Sequence, residues 1–206
     1  MKICVFASGA GTNFKAIIDS VKKGFLSSEI SLLISNNPGC DAVKIAAVNN
    51  IEFKIINRKL FGDYSDEDYS EVFMKFLSEY SIDFIVLAGY MQIVPSVVVK
   101  KFHYRIINIH PALLPSFGGK GMYGLNVHKA VIESGVKISG VTIHFVNEDY
   151  DKGSIIFQKC CDVNFDDDKF SLQEKIRELE HEYYPVIIRK FEEGKVELLN
   201  GKVRVS

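Results

Sequence analysis

Neither sign of charge is in excess, since 25 Lys and Arg stand against 26 Asp and Glu for a formal net charge of -1. Without a basic field nothing holds a nucleic-acid backbone by counterion release, so no polynucleotide partner is expected. Long apolar runs are also missing. No stretch approaches the roughly 20 residues of a membrane helix, and the opening run Met1 to Ala7 is too short for a signal peptide and leads straight into a glycine turn. Cysteine is sparse, with Cys4, Cys40, Cys160 and Cys161 showing neither CxxC spacing nor a disulfide framework. The expectation is a cytoplasmic protein with buried free thiols and no membrane partner. Repeats, low-complexity tracts and linkers are absent too, so 206 residues with 47% hydrophobic content are read as one domain, 1–206.

What is present is an alternation of short β-branched runs with segments of helical period, the pattern of crossover units and a parallel sheet. Strands are expected at Ile3 to Ala7, Ile30 to Ser35, Glu52 to Ile56, Phe84 to Ala88 and Ile106 to Ile109, and helices at Asn13 to Lys23 and Asp66 to Tyr80. The pattern changes later in the chain. Val141 to Val146 and Ile155 to Val163 read as a hairpin-like extension joined by the acidic turn Asn147 to Gly153, followed by a long helix from Ser171 to about Glu193 with Asp166, Asp167 and Asp168 as turn and capping chemistry. Asn200-Gly201 marks a final hairpin. The fold class is α/β: a Rossmann-like, mostly parallel twisted sheet with helices on both faces and a C-terminal antiparallel extension.

Two places carry chemistry. Ser8-Gly9-Ala10-Gly11-Thr12-Asn13 lies between the first strand and the first helix, where glycines admit close backbone approach and free helix amides attract an anion. A dinucleotide fingerprint would need glycine at Phe14 and an acid where Ser35-Asn36-Asn37 stands, and a P-loop would need Lys at Thr12. A small phosphorylated ligand and a plain turn capped by Thr12 or Asn13 both remain open. Asn108 and His110 end a buried strand, two residues apart and so on one side of it, ahead of a segment stiffened by Pro111 and Pro115. An amide donor beside an imidazole suits acyl transfer. His103 and His128 read as helix surfaces or ends, and His181 as part of the long helix. His144 reads as a core hydrogen-bonder or a partner of the site. Asp151 is one of three carboxylates in an acidic turn, and spacing alone does not choose it. No histidine pair has zinc-site spacing, so no metal is implied.

The loop Ser8 to Asn13, the block Asn108-Ile109-His110-Pro111-Ala112-Leu113-Leu114-Pro115, and Gly140 to Val146 running through Tyr150-Asp151-Lys152-Gly153 resemble the phosphoribosylglycinamide formyltransferases, also called glycinamide ribonucleotide transformylases. The likeness runs from residue 1 to about residue 195. It implies transfer of a formyl group from 10-formyltetrahydrofolate, as co-substrate, to the amine of 5-phosphoribosylglycinamide in purine biosynthesis. Residues 1–100 would form the phosphate-binding half and 101–206 the catalytic and folate-binding half. Carried over by motif, Asn108, a protonated His110 and Asp151 are catalytic, and Gly11, Thr12, Asn13 and Glu180 meet the ribonucleotide. Met91, Gln92, Ile93, Val94, Val146, Asn147 and Tyr150 meet the folate. Many members carry arginine at Gln92 and another basic residue near Asp66. Gly118 to Gly124 reads as an active-site flap or as an ordinary surface loop.

Formyltetrahydrofolate deformylase shares the three catalytic residues but normally has a further N-terminal domain, and methionyl-tRNA formyltransferase adds a basic C-terminal one. A non-catalytic nucleotide-binding module is the rival from another class. Small-molecule substrates and a monomer or homodimer are expected.

Overall fold

The computed structural model describes residues 1–60 and 65–206. Two compact units follow one another, Met1–Ile107 and Asn108–Ser206.

The first unit contains β1 (Lys2–Phe6), α1 (Thr12–Lys22), β2 (Glu29–Ser35), α2 (Asp41–Val48), β3 (Phe53–Ile55), a 3₁₀ turn at Arg58–Leu60, α3 (Asp66–Glu79), β4 (Phe84–Leu87) and α4 (Ser96–Lys101), and ends within β5 (Ile106–His110). β1 pairs in parallel with β2 and with β4, so Val5 lies opposite both Leu33 and Val86. Ile3, Val5 and Phe6 have no exposed surface. Such strands read as unbroken apolar runs because both faces are covered, and each fully buried side chain of this kind stabilises the fold by about 1.5–3 kcal/mol. The five expected strands and the two early helices are present to within one residue at each end. α2 and α4, with eight and six residues, are too short for a period to stand out in the sequence.

The second unit takes β5 onward to α5 (Leu125–Ser134), β6 (Ile138–Phe145), β7 (Ile155–Asp162), α6 (Lys169–Glu192) and the small hairpin β8 (Val196–Leu199) and β9 (Lys202–Val205). β6 and β7 pair antiparallel with an irregularity at His144, and Val131, Val141, Leu172 and Ile176 form a core between α5, β6 and α6. Asp168 caps α6 by accepting from the amides of Phe170 and Ser171, and the Ser171 hydroxyl completes a capping box, so the helix begins two residues before the expected Ser171. Strand order in the main sheet is β3-β2-β1-β4-β5-β6-β7.

Cys4 and Cys40 are buried as expected, but Cys160 is exposed and Cys161 only half-buried. Both lie on β7, an edge strand with a partner on one side only, and an apolar run in sequence does not reveal an edge. Among the described residues no helix is long and apolar enough to cross a membrane.

Candidate active site

In the first unit the strand order reverses direction of growth between β1 and β4, the switch point at which open α/β sheets bind ligands beyond their strand ends. The loop Ser8 to Gly11 and the segment Gly89 to Val94 leave those two strands. Ser8 ties them together: its amide donates to the Gly89 carbonyl at 3.1 Å, its hydroxyl accepts from the Met91 amide at 2.9 Å, and the same hydroxyl donates to Asn36 Oδ1 at 2.5 Å. Gly11 caps α1 in the left-handed region at φ 68°, and no side chain caps that helix. Thr12 and Asn13 are therefore the first helical residues and not its caps, a correction to the plain-turn reading. A β-carbon at Gly11 would come 2.9 Å from the Ala42 backbone, so the position needs glycine for its conformation and for its closeness to α2. Without a side-chain cap, the positive end of the α1 dipole at this loop favours an anion.

Met91 and Ile93 are exposed, Gln92 is half-buried and Val94 is buried. The Gln92 side chain is engaged within its own unit, where Tyr69 donates to its Oε1 at 3.3 Å while Arg58 lies over the Tyr69 ring and pairs with Asp66 at 2.8 Å.

In the second unit Asn108, His110, His144 and Asp151 come together. Asn108 Nδ2 lies 3.1 Å from His144 Nε2, Asp151 Oδ2 is 3.7 Å from His110 Nδ1, and Asp151 Oδ1 is 3.7 Å from His144 Nε2. Alternation along β5 thus puts Asn108 and His110 on one side, as their spacing implies. His110 Nε2 donates to the Phe117 carbonyl at 2.8 Å, and a carbonyl only accepts, so that nitrogen carries a proton and Nδ1 is the one that faces Asp151. Asp151 adopts φ 54° and accepts the Gly119 amide at 2.8 Å. Gly118 packs so closely that an added β-carbon would meet Leu114 at 2.4 Å and Asp151 at 3.3 Å. The glycines of this segment are thus partly explained by contact with the carboxylate. Phe117 and Gly119 act through backbone atoms, which leave no mark in a sequence.

Burial pushes the His110 imidazole below the ordinary histidine value, although the Asp151 charge and the Phe117 carbonyl both work the other way. The ring is therefore neutral at neutral pH in the free protein. This corrects the expectation of a resting imidazolium: the carboxylate acts as supposed, but burial outweighs it. Burial also opposes ionisation of Asp151, yet the nearby His144 ring, the Gly119 amide that donates to it and the His110 ring hold its carboxyl below the usual range.

His128, expected on a helix surface or end, is 3% exposed on α5, and its Nδ1 has no hydrogen-bond partner. Helical spacing alone does not say which face meets the core. His103 lies in the turn after α4, and His181 is on α6, half-buried. Glu180, also half-buried on α6, raises the phenol value of the fully buried Tyr184, a smaller effect than burial itself. Val146 is half-buried, and Asn147 and Tyr150 are exposed in the turn after β6. Among the described residues no three or more His, Cys, Asp or Glu are grouped as metal ligands.

Burial, then the neighbouring His110, lowers the His128 value to about 4. The unfolded chain takes up this proton near the ordinary histidine value, so the stabilisation is complete above that value and is lost as pH falls toward about 4. Urea midpoints should therefore fall over this window, and His128→Gln should flatten the slope. An unchanged slope would remove His128 from the acid response.

Comparison with known proteins bears on the family. The profile described as Formyl transferase matches residues 1–188. The chloroplastic phosphoribosylglycinamide formyltransferase of Arabidopsis thaliana is 41% identical over 187 residues, 91% of this chain and 64% of that protein. The trifunctional purine biosynthetic protein adenosine-3 of Gallus gallus is 38% identical over 198 residues, 96% of this chain and 19% of that protein. The chain thus spans less than two thirds of the length of both. Among solved structures, glycinamide ribonucleotide transformylase 1 from Symbiobacterium toebii superposes with a TM-score of 0.91 at 32% identity, over 100% of this chain and 93% of that one. With a profile match over most of its length, relatives of this identity and the same fold, the chain belongs to the formyl transferase family.

Proposed function

We propose that this chain transfers the formyl group of 10-formyltetrahydrofolate to the amine of 5-phosphoribosylglycinamide. The observation that carries the reading is the cluster of Asn108, His110 and Asp151, an amide donor and an imidazole on one side of β5 with a half-buried carboxylate beside the imidazole. The acceptor and the setting in purine biosynthesis are taken from the names of the relatives.

The amine lone pair adds to the formyl carbon, and the carbonyl π electrons move onto oxygen. The amide of Asn108 donates to that oxyanion. His110 begins neutral, so its Nδ1 takes the proton released by the attacking nitrogen, becomes an imidazolium that faces the oxyanion, and returns the proton to the departing folate nitrogen as the carbon–nitrogen bond breaks. Asp151 favours the cation while it lasts and orders water for the transfer. No bond to the enzyme forms. Gly11, Thr12 and Asn13 hold the ribose phosphate, Glu180 meets the ribose, the backbone of Met91, Gln92, Ile93 and Val94 meets the pterin, and Val146, Asn147 and Tyr150 line the folate loop.

The direct test supplies 10-formyltetrahydrofolate with or without the ribonucleotide and follows formylated product and free formate. Formylated ribonucleotide is expected. Formate released equally without the amine would mark a deformylase, and neither product would leave only a binding module.

Thr12→Glu places a carboxylate in the first turn of α1, where it stabilises the helix but repels a bound phosphate. The Michaelis constant for the ribonucleotide should rise about tenfold, roughly 1.4 kcal/mol, while that for the folate stays put. Equal changes for both substrates would assign the loop to the fold alone.

Asp151→Asn keeps the size, and asparagine tolerates the left-handed backbone at this position. The turnover number should fall by about 10²- to 10⁴-fold with folate affinity little changed. Titration of the His110 ring by NMR should show a still lower value in the variant, because one of the groups that raises it is gone. A ring that titrates as before would show that Asp151 does not act through His110.

A further inference from the structure

We infer that His144 is a positioning residue that turns the Asn108 amide so that one defined N–H of Nδ2 is left for the oxyanion. The first observation is in the backbone. Along the β6–β7 ladder Ile143 lies opposite Phe157 but His144 lies opposite Ile155, so β7 carries one extra residue, Ile156, at this point. A bulge re-aims the side chains beside it, and this one lies at the only imidazole of β6.

The second observation is the bonding of the ring. His144 is 2% exposed, and its Nδ1 lies 2.7 Å from the Phe145 carbonyl oxygen. That oxygen only accepts, so Nδ1 carries the proton, and in the neutral ring Nε2 is a bare acceptor. Its near partner is Asn108 at 3.1 Å, while Asp151 Oδ1 at 3.7 Å is too far for a direct hydrogen bond. A bare nitrogen accepts from an N–H and repels a carbonyl oxygen, so the amide of Asn108 has one orientation, with Nδ2 toward the ring. Nδ2 has two hydrogens. One is given to His144 and the other is held in a fixed direction. An amide without this partner rotates, and its oxygen presents a lone pair to the oxyanion as readily as its nitrogen presents a donor.

The identity of the oxyanion rests on the formyl-transfer reading, whereas the tautomer of His144 does not. Two substitutions separate positioning from packing. His144→Gln can carry an acceptor toward Asn108, while His144→Asn keeps a polar group near the Phe145 carbonyl and is too short to reach the amide. His144→Asn should lower kcat on the order of 10²-fold, the effect of losing one oxyanion donor, with both Michaelis constants little changed, and His144→Gln should recover most of that loss. Equal losses in the two, or kcat near that of the parent in His144→Asn, would overturn the proposal. Nitrogen-15 NMR of the unaltered protein reads the ring directly and does not depend on the variants folding. A protonated Nδ1 with a bare Nε2 is expected, and a proton resident on Nε2 would overturn it. If the unaltered protein transfers no formyl group, the proposed reaction fails, and the nitrogen spectrum still decides whether His144 fixes the amide.

Discussion

The second unit is organised around one half-buried carboxylate. Asp151 has two oxygens and three claims on them: one oxygen takes the Gly119 amide and faces His110, and the other faces His144. A charge taken out of water needs such partners, since an isolated one costs several kcal/mol. The end of β5, the end of β6 and the glycine segment are therefore held to one arrangement by electrostatics as well as by packing. The same partners keep the carboxyl ionised against its own burial. Removing one of these partners would leave the carboxylate less well balanced, so the group behaves as a unit.

His110 illustrates a balance that a list of neighbours does not convey. Its surroundings include a carboxylate and a carbonyl, both of which favour the cation, yet burial prevails. A base that is neutral at rest and flanked by groups that welcome a proton is suited to accepting one briefly and giving it back. An imidazolium at rest would have no place for the proton of the attacking amine.

Much of this was legible in the sequence. Ile3 to Phe6, Phe84 to Leu87 and Ile106 to Ile109 are unbroken apolar runs because their strands are covered on both faces, and alternation put Asn108 and His110 on one side. The carboxylates before α6 announced its cap. Asp151 was not separable from Glu148 and Asp149 by spacing, because what distinguishes it is a positive φ and contact with Gly118, Gly119 and two histidines remote in sequence. His128 was misread because its burial depends on which face of α5 meets the core. The Phe117 carbonyl and the Gly119 amide could not be read at all, since every residue has the same backbone. Ser8 stood in the sequence only as the first residue of the glycine loop, and the structure shows it joining the ends of two strands.

The extra residue in β7 fixes the parity of the hairpin. Side chains alternate across a strand, so one residue more or fewer exchanges its two faces for everything beyond that point. Without Ile156 in the count, Phe157, Lys159 and Cys161 would trade places with Gln158, Cys160 and Asp162, and Gln158 would lose its bonds to the Leu114 carbonyl and the Thr142 hydroxyl. Length changes in this hairpin are therefore not equivalent across descendants of the sequence. Single deletions within the paired strands reverse inside and outside, whereas the stretch between Asn147 and Tyr150, outside the ladder, has no such parity to keep.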